Sequence, residues 1–166
     1  MTVPWNQVAK LEPEHDIDAF SSGFAPVDDW LHGNARPNQH LVATHVCLDD
    51  RGVVRGFFAL RTVVISTEGM SSAQRKGSKD GLSAGILLCW MGLRSSDRGQ
   101  QIGPALLREA MAQAARAHAI SPVQLFVVDA ANEELIGYYE AAGLQRIPNT
   151  LRLVAPMGSI IKFLAR

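Results

Sequence analysis

Leu87–Ala119, LLCWMGLRSSDRGQQIGPALLREAMAQAARAHA, is the stretch whose reading decides the fold. Leu87 to Leu93 is an apolar run bounded by polar residues and reads as a strand. Arg94 to Gln101 is a polar turn, and Ile102-Gly103-Pro104 opens a long helix. Pro104 suits the first helical position, where the N–H it lacks has no partner in any case. Leu106, Leu107, Ala110, Met111, Ala114 and Ala117 recur at helical spacing to make one apolar face, and Ser121-Pro122 ends the helix. A strand that turns through a glycine-containing loop into a helix start leaves backbone N–H groups pointing out of the loop, which makes an anion site.

The rest of the composition sets bounds around this stretch. A chain of 166 residues fits a single domain, 1–166, with a real core. Sixteen basic residues balance sixteen acidic ones, which excludes a generic nucleic-acid coat protein but leaves room for a local basic patch. Hydrophobic content of 47% with interspersed charge marks a globular chain. No apolar run reaches the roughly 18 residues that span a bilayer, and MTVPWNQ lacks a basic-then-apolar signal pattern, so a cytoplasmic protein without membrane contact is expected. Cys47 and Cys89 sit in apolar runs and are expected as buried thiols, with no metal-ligand spacing around them.

Towards the N-terminus, Val8 to Phe20 reads as a strand and a loop, punctuated by Ser21-Ser22-Gly23. Val27, Trp30, Leu31 and Asn34-Ala35 fit a short amphipathic helix, with Asp28 and Asp29 in its early turns. Leu41 to Leu48 and Val53 to Ile65 are strands around an Asp49-Asp50-Arg51-Gly52 turn, the second interrupted at Gly56. Ser66 to Gly85 reads as a mobile surface loop; a basic arm that touches phosphate is the sharper alternative for Arg75, Lys76 and Lys79. Towards the C-terminus, Val123 to Asp129 is a buried strand, and Asn132 caps a helix with Glu133 and Glu134 in its first turn. Leu135, Tyr139 and Ala142 fall on one face, so Tyr139 turns inward while Tyr138 points elsewhere, and Gly143 stops the helix. Leu144 to Arg146, Leu151 to Val154 and Ile160 to Leu164 supply one or two last strands. The expected fold is α/β: a mixed, mostly antiparallel central sheet with helices on both faces.

Two motifs bring a family into view. Arg98-Gly99-Gln100-Gln101-Ile102-Gly103 resembles the acetyl-CoA pyrophosphate loop of the GCN5-related N-acetyltransferases, with Gln101 standing where the pattern has its first glycine. Asn132 to Leu144, NEELIGYYEAAGL, resembles the same family's C-terminal motif: an Asn, a Tyr seven positions on, and a Gly followed by an apolar residue. Within that family, Asp18 to Gly23, Asp28-Asp29-Trp30-Leu31 and Gly56 to Leu60 look like the acetyltransferase toxins that pair with ribbon-helix-helix antitoxins. Trp90-Met91-Gly92-Leu93 replaces that subgroup's usual arginine-leucine-alanine-valine run, and Ser22 replaces a frequent cysteine.

The resemblance implies transfer of acetyl from acetyl-CoA to the α-amino group of an aminoacyl-tRNA, which blocks translation. It implies an antitoxin partner and allows a homodimer. It places acetyl-CoA at Met91, Gly92, Leu93, Arg98, Gly99, Gln100, Gln101, Ile102, Gly103 and Asn132, with Tyr139 as the acid and no metal. An α-amino group titrates at about 7.7–8.0, so enough is neutral near pH 7 for a strong protein base to be dispensable. From periodicity alone Tyr139 reads as a core tyrosine packed through its ring, and Asn132 as a plain helix cap. An ordinary N-acetyltransferase of a small or protein amine, and a degenerate protein that binds CoA or antitoxin without turnover, are the alternatives. The histidines have no metal spacing, and Trp5, Trp30 and Trp90 read as packing residues.

Overall fold

The computed structural model describes residues 2–99 and 101–166. Its elements are β1 (Gln7–Lys10), α1 (Ala25–Asn34), β2 (Ala43–Leu48), β3 (Val54–Ser66), α2 (Ser72–Arg75), β4 (Leu82–Leu93), α3 (Ile102–Ile120), β5 (Leu125–Asp129), α4 (Ile136–Ala141), β6 (Gln145–Arg146), β7 (Arg152–Pro156) and α5 (Met157–Leu164). The strands form a sheet in the order β1-β2-β3-β4-β5-β7-β6. β1–β2, β2–β3, β5–β7 and β6–β7 run antiparallel, and β4–β5 run parallel. The expected mixed, mostly antiparallel sheet with accompanying helices is therefore present.

The chain divides into two compact units, Met1–Arg61 with Cys89–Ala110 and Thr62–Leu88 with Met111–Arg166. In the first, the β2–β3 turn is closed by Asp49, whose carboxylate accepts the N–H groups of Arg51 and Val53, both at 2.9 Å. β3 runs through Gly56 without interruption, but the register slips beside it: Cys47 faces Gly56 and Leu48 faces Val54, leaving Arg55 as an extra, bulged residue. α1 begins with a proline in its first turn and has Asp28 at its start and His32 at its end, as the helix dipole favours. Leu11, Ile17, Phe20, Leu31, Val46 and Phe57 form the core of this unit. Phe57, Trp30 and Trp90 stack face to face in series, with centroids 6.3 and 5.5 Å apart. Trp5 is buried and donates its indole N–H to Glu109 at 2.7 Å.

The second unit is centred on Ile65, Met70, Leu125, Val127, Ile147 and Val154. Three expectations are corrected here. Ser66 and Leu82 to Gly85 belong to β3 and β4, and the connection between them, residues 67–81, contains α2 instead of being wholly a loop. The Ser71 hydroxyl and the Gln74 side chain cap α2 reciprocally, and Met70, Thr67 and Gln74 are buried. Ile160 to Leu164 belongs to α5 rather than to a strand, because burial of Met157 and Ile160 recurs at helical spacing. Pro104 is the third residue of α3, still among the positions whose N–H groups have no helical partner. Along α3, Leu106, Leu107, Ala110, Met111 and Ala114 are buried, while Ala117 is exposed. Cys47 is buried, Cys89 is half-buried, and no disulfide joins them.

Candidate active site

The turn between β4 and α3 is held by its neighbours in the first unit. Arg94 gives its backbone N–H to the Arg55 carbonyl and its Nε to the Val54 carbonyl, each at 2.9 Å. Ser95–Asp97 forms one turn of 3₁₀ helix, and buried Asp97 takes a bidentate pair of hydrogen bonds from the Arg55 guanidinium, Nε at 3.1 Å and Nη2 at 2.8 Å. The bulge that re-aims Arg55 therefore fixes the front of the loop. No local pattern announces this pair, since the partners are 42 residues apart.

Beyond Asp97 the backbone reverses twice through the left-handed region, at Gly99 (φ +80°) and at Gln101 (φ +58°). Gln101 thus holds a left-handed conformation that glycine adopts more readily, and the residue is exposed. Ile102 is buried and starts α3, so the N–H groups of Ile102 and Gly103 lie at the positive end of a 19-residue helix. Gln100 lies outside the described residues. The Arg98 guanidinium donates to the Ser22 carbonyl and lies 4.2 Å from the centroid of the Phe24 ring. Buried Ser22 gives both its N–H and its hydroxyl to Asp28 Oδ1, at 2.8 Å each. Burial acts to raise the Asp28 pKa, but these bonds outweigh it and hold the carboxyl below its usual range.

Met91, Gly92 and Leu93 end β4 just before this turn. Pairing with β5 covers only Gly85 to Leu88, so these three residues continue past the end of that ladder. A Cβ on Gly92 would lie 2.7 Å from Phe57 Cε1 and 2.8 Å from Val27 Cγ1, so the neighbours occupy the space an alanine would need.

In the second unit, Asn132 accepts the Leu135 N–H at 3.2 Å and caps a 3₁₀ turn, Glu133–Leu135, that leads into α4. Glu133 is clamped by both terminal nitrogens of Arg146, at 2.8 and 2.5 Å, which holds its carboxyl below its usual range. Gly143 (φ +96°) stops α4: Gly143 N–H bonds the Glu140 carbonyl at 3.0 Å and Leu144 N–H bonds the Tyr139 carbonyl at 3.3 Å. Tyr139 is half-buried, and burial raises its pKa. Tyr138 does not point away from the protein. It is half-buried too, its ring packs edge-to-face on Tyr139 at 5.0 Å, and its hydroxyl is buried without a hydrogen-bond partner. Burial pushes its pKa up to about 12. The structure thus gathers Met91 to Leu93, Arg98, Gly99 and Gln101 to Gly103 in one unit and Asn132 with Tyr139 in the other. Sequence reasoning passed over Arg55, Asp97 and Phe24.

Among the described residues, no three His, Cys, Asp or Glu side chains converge as a metal site. His118 instead accepts the Val123 N–H at 3.1 Å just past the end of α3.

No family model matches the chain. Solved structures do. AtaT complexed with acetyl-methionyl-tRNAfMet superposes with a TM-score of 0.84 at 18% identity, covering 96% of this chain and 99% of that one. A tyrosine-to-phenylalanine mutant of KacT gives 0.81 at 18% identity, covering 95% and 99%. A tyrosine-to-phenylalanine mutant of the AtaT toxin, bound to the C-terminus of the antitoxin AtaR and acetyl-CoA, gives 0.78 at 17% identity, covering 96% and 98%. The chain has the fold of these proteins along nearly its whole length.

Proposed function

We propose that residues 1–166 act as one GCN5-related N-acetyltransferase domain that moves acetyl from acetyl-CoA to the α-amino group of an aminoacyl-tRNA, a translation-blocking toxin restrained by a ribbon-helix-helix antitoxin. The observation that carries this reading is the backbone of the Arg98–Gly103 loop. Gln101 departs from the glycine of the motif yet has a left-handed backbone (φ +58°), which supports reading the N–H groups of Gln101 to Gly103 as part of a pyrophosphate cradle. The likeness to AtaT with acetyl-methionyl-tRNAfMet supports the choice of acceptor.

Acetyl-CoA supplies the activated acetyl group as a substrate. Gly99 to Gly103 would hold its pyrophosphate at the start of α3, and the backbone of Met91 to Leu93 would offer N–H donors to the carbonyl oxygen as it gains charge. Asn132 fixes the start of the segment that bears Tyr139. The Tyr139 hydroxyl serves the leaving thiolate: with its pKa raised above about 10 against about 8.5 for a thiol, it acts as a neutral hydrogen-bond donor more than as a full acid. The acceptor amine needs only to be neutral, so the chain does not require a carboxylate or histidine base.

The test is incubation of the purified protein with labelled acetyl-CoA and charged tRNA. Label is expected on the aminoacyl group, lost in Tyr139→Phe, and expression is expected to arrest growth only with an active Tyr139. Label on free amines without growth arrest would replace this reading with an ordinary N-acetyltransferase. Thermal stabilisation by acetyl-CoA with no transfer to any amine would leave a binding protein.

A further inference from the structure

Arg98 makes contacts with both its backbone and its side chain. Its backbone N–H bonds the Ser95 carbonyl at 3.3 Å, its guanidinium donates to the Ser22 carbonyl, and the same guanidinium covers the Phe24 ring. The planar fork of arginine suits this double use, one edge for a carbonyl and one face for an aromatic ring. Two further contacts join the same segments. Ser95 N–H bonds the Ser21 carbonyl at 3.0 Å, and Arg94 lies 5.7 Å from the Phe20 ring. The segment is shaped to receive them. Gly23 has φ +85°, and a Cβ there would sit 3.6 Å from Arg98 Nη2. On its far side Ser22 is anchored to Asp28, in the first turn of α1. Phe24, the residue that caps α1, is 59% exposed despite its size, so the Arg98 contact rather than core burial holds it.

We infer that Arg98 is a positioning residue: its guanidinium ties the Ser21–Phe24 segment, and with it the start of α1, to the acetyl-CoA loop, and it contributes no side-chain contact to the pyrophosphate. The inference rests on the acetyl-transfer reading for what the loop holds. Anion binding then falls to the backbone N–H groups beyond Arg98, while the order of the loop and the order of the α1 start become linked. The loop is also held by Arg55–Asp97 and Arg94, so releasing the tie loosens the Ser21–Phe24 segment and the start of α1 and leaves acetyl-CoA affinity nearly untouched.

Three variants test it: Arg98→Ala, Arg98→Lys and Phe24→Ala. Phe24 is exposed, so its variant reports even where Arg98→Ala fails to fold. Two quantities are measured: acetyl-CoA Kd by calorimetry, and amide hydrogen exchange of residues 19–31 in the ligand-free protein. Arg98→Ala and Phe24→Ala are each expected to speed exchange at Ser21–Asp28 about tenfold, the scale of one lost cation–aromatic contact with its hydrogen bond. Acetyl-CoA Kd should stay within about twofold, since uniform binding of that substrate is untouched. Arg98→Lys, which keeps the charge but not the fork, should fall between wild type and alanine in exchange. A tenfold loss of acetyl-CoA affinity in Arg98→Ala with exchange unchanged would make Arg98 an anion ligand and overturn the inference. Unchanged exchange at Ser21–Asp28 in both alanine variants would overturn it as well. If the wild type transfers no acetyl at all, the acetyl-transfer reading fails by itself, and unchanged exchange in the variants would still refute the tie.

Discussion

Gln101 carries a left-handed backbone with a side chain attached, a conformation that costs a non-glycine residue about 1 kcal/mol or more. Gln101→Gly should therefore raise the free energy of unfolding, by up to about 1 kcal/mol less the added freedom of the unfolded chain, and should keep acetyl-CoA binding. Gly92 is the opposite case. Gly92→Ala puts a carbon 2.7 Å from Phe57 and should cost about 1–3 kcal/mol in urea unfolding, with recovery in the Gly92→Ala, Phe57→Leu double variant if the clash is the cause. Tyr139 gives a pH prediction. Its pKa is raised, so the neutral hydroxyl persists beyond about pH 10, whereas the acceptor amine loses its proton at about 7.7–8.0. kcat/KM should rise through that lower range and hold a plateau to about pH 10; a fall below about pH 9 would count against Tyr139 as the donor.

At the scale of the element, α2 and its flanks form an open hollow of about 650 Å³ lined by Thr67, Ser72, Ala73, Arg75, Lys76, Ser78 and Gly81. Two cations and three hydroxyls, with no carboxylate among the lining residues, suit a phosphate backbone. Arg75→Ala and Lys76→Ala should each weaken binding of charged tRNA and lower the slope of log affinity against log salt by about one. An unchanged slope would remove this surface from the acceptor path. The same segment shows what sequence could and could not convey. Its polarity suggests a loop, but the spacing of Ser71 and Gln74 is a capping box that could have been read. α5 was misread because a short apolar run satisfies strand and helix alike, and only burial of Met157 and Ile160 decides it. β4, α3, the Asn132 cap and the Gly143 stop were legible because each rests on local chemistry: period, proline, cap and glycine. Arg55–Asp97 and Arg98–Ser22 were not, since each joins residues 42 or 76 positions apart through a bulge or a turn that no local pattern encodes.

For the whole molecule, balanced charge means that salt and pH act through particular groups and not through overall self-repulsion. Asp28, Asp49 and Glu133 all have carboxyls held below their usual values by hydrogen bonds or an arginine. A depressed folded pKa stabilises the native state above the unfolded value and loses that contribution as pH falls through the folded one. Thermal midpoints should accordingly be flat from about pH 7 to 5 and drop below about pH 4, and Asp28→Asn should soften the drop. The sheet order β1-β2-β3-β4-β5-β7-β6 gives this result a structural counterpart, since Asp49 closes the β2–β3 turn while Glu133 is clamped to Arg146 of β6. Acid should loosen the β2–β3 turn and the Glu133–Arg146 clamp on β6. The packing around Gly92 also bears on how this position can be redesigned. With Phe57 and Val27 filling the space of the missing methyl, a larger residue fits there without strain only together with smaller neighbours, so the three positions vary as a set.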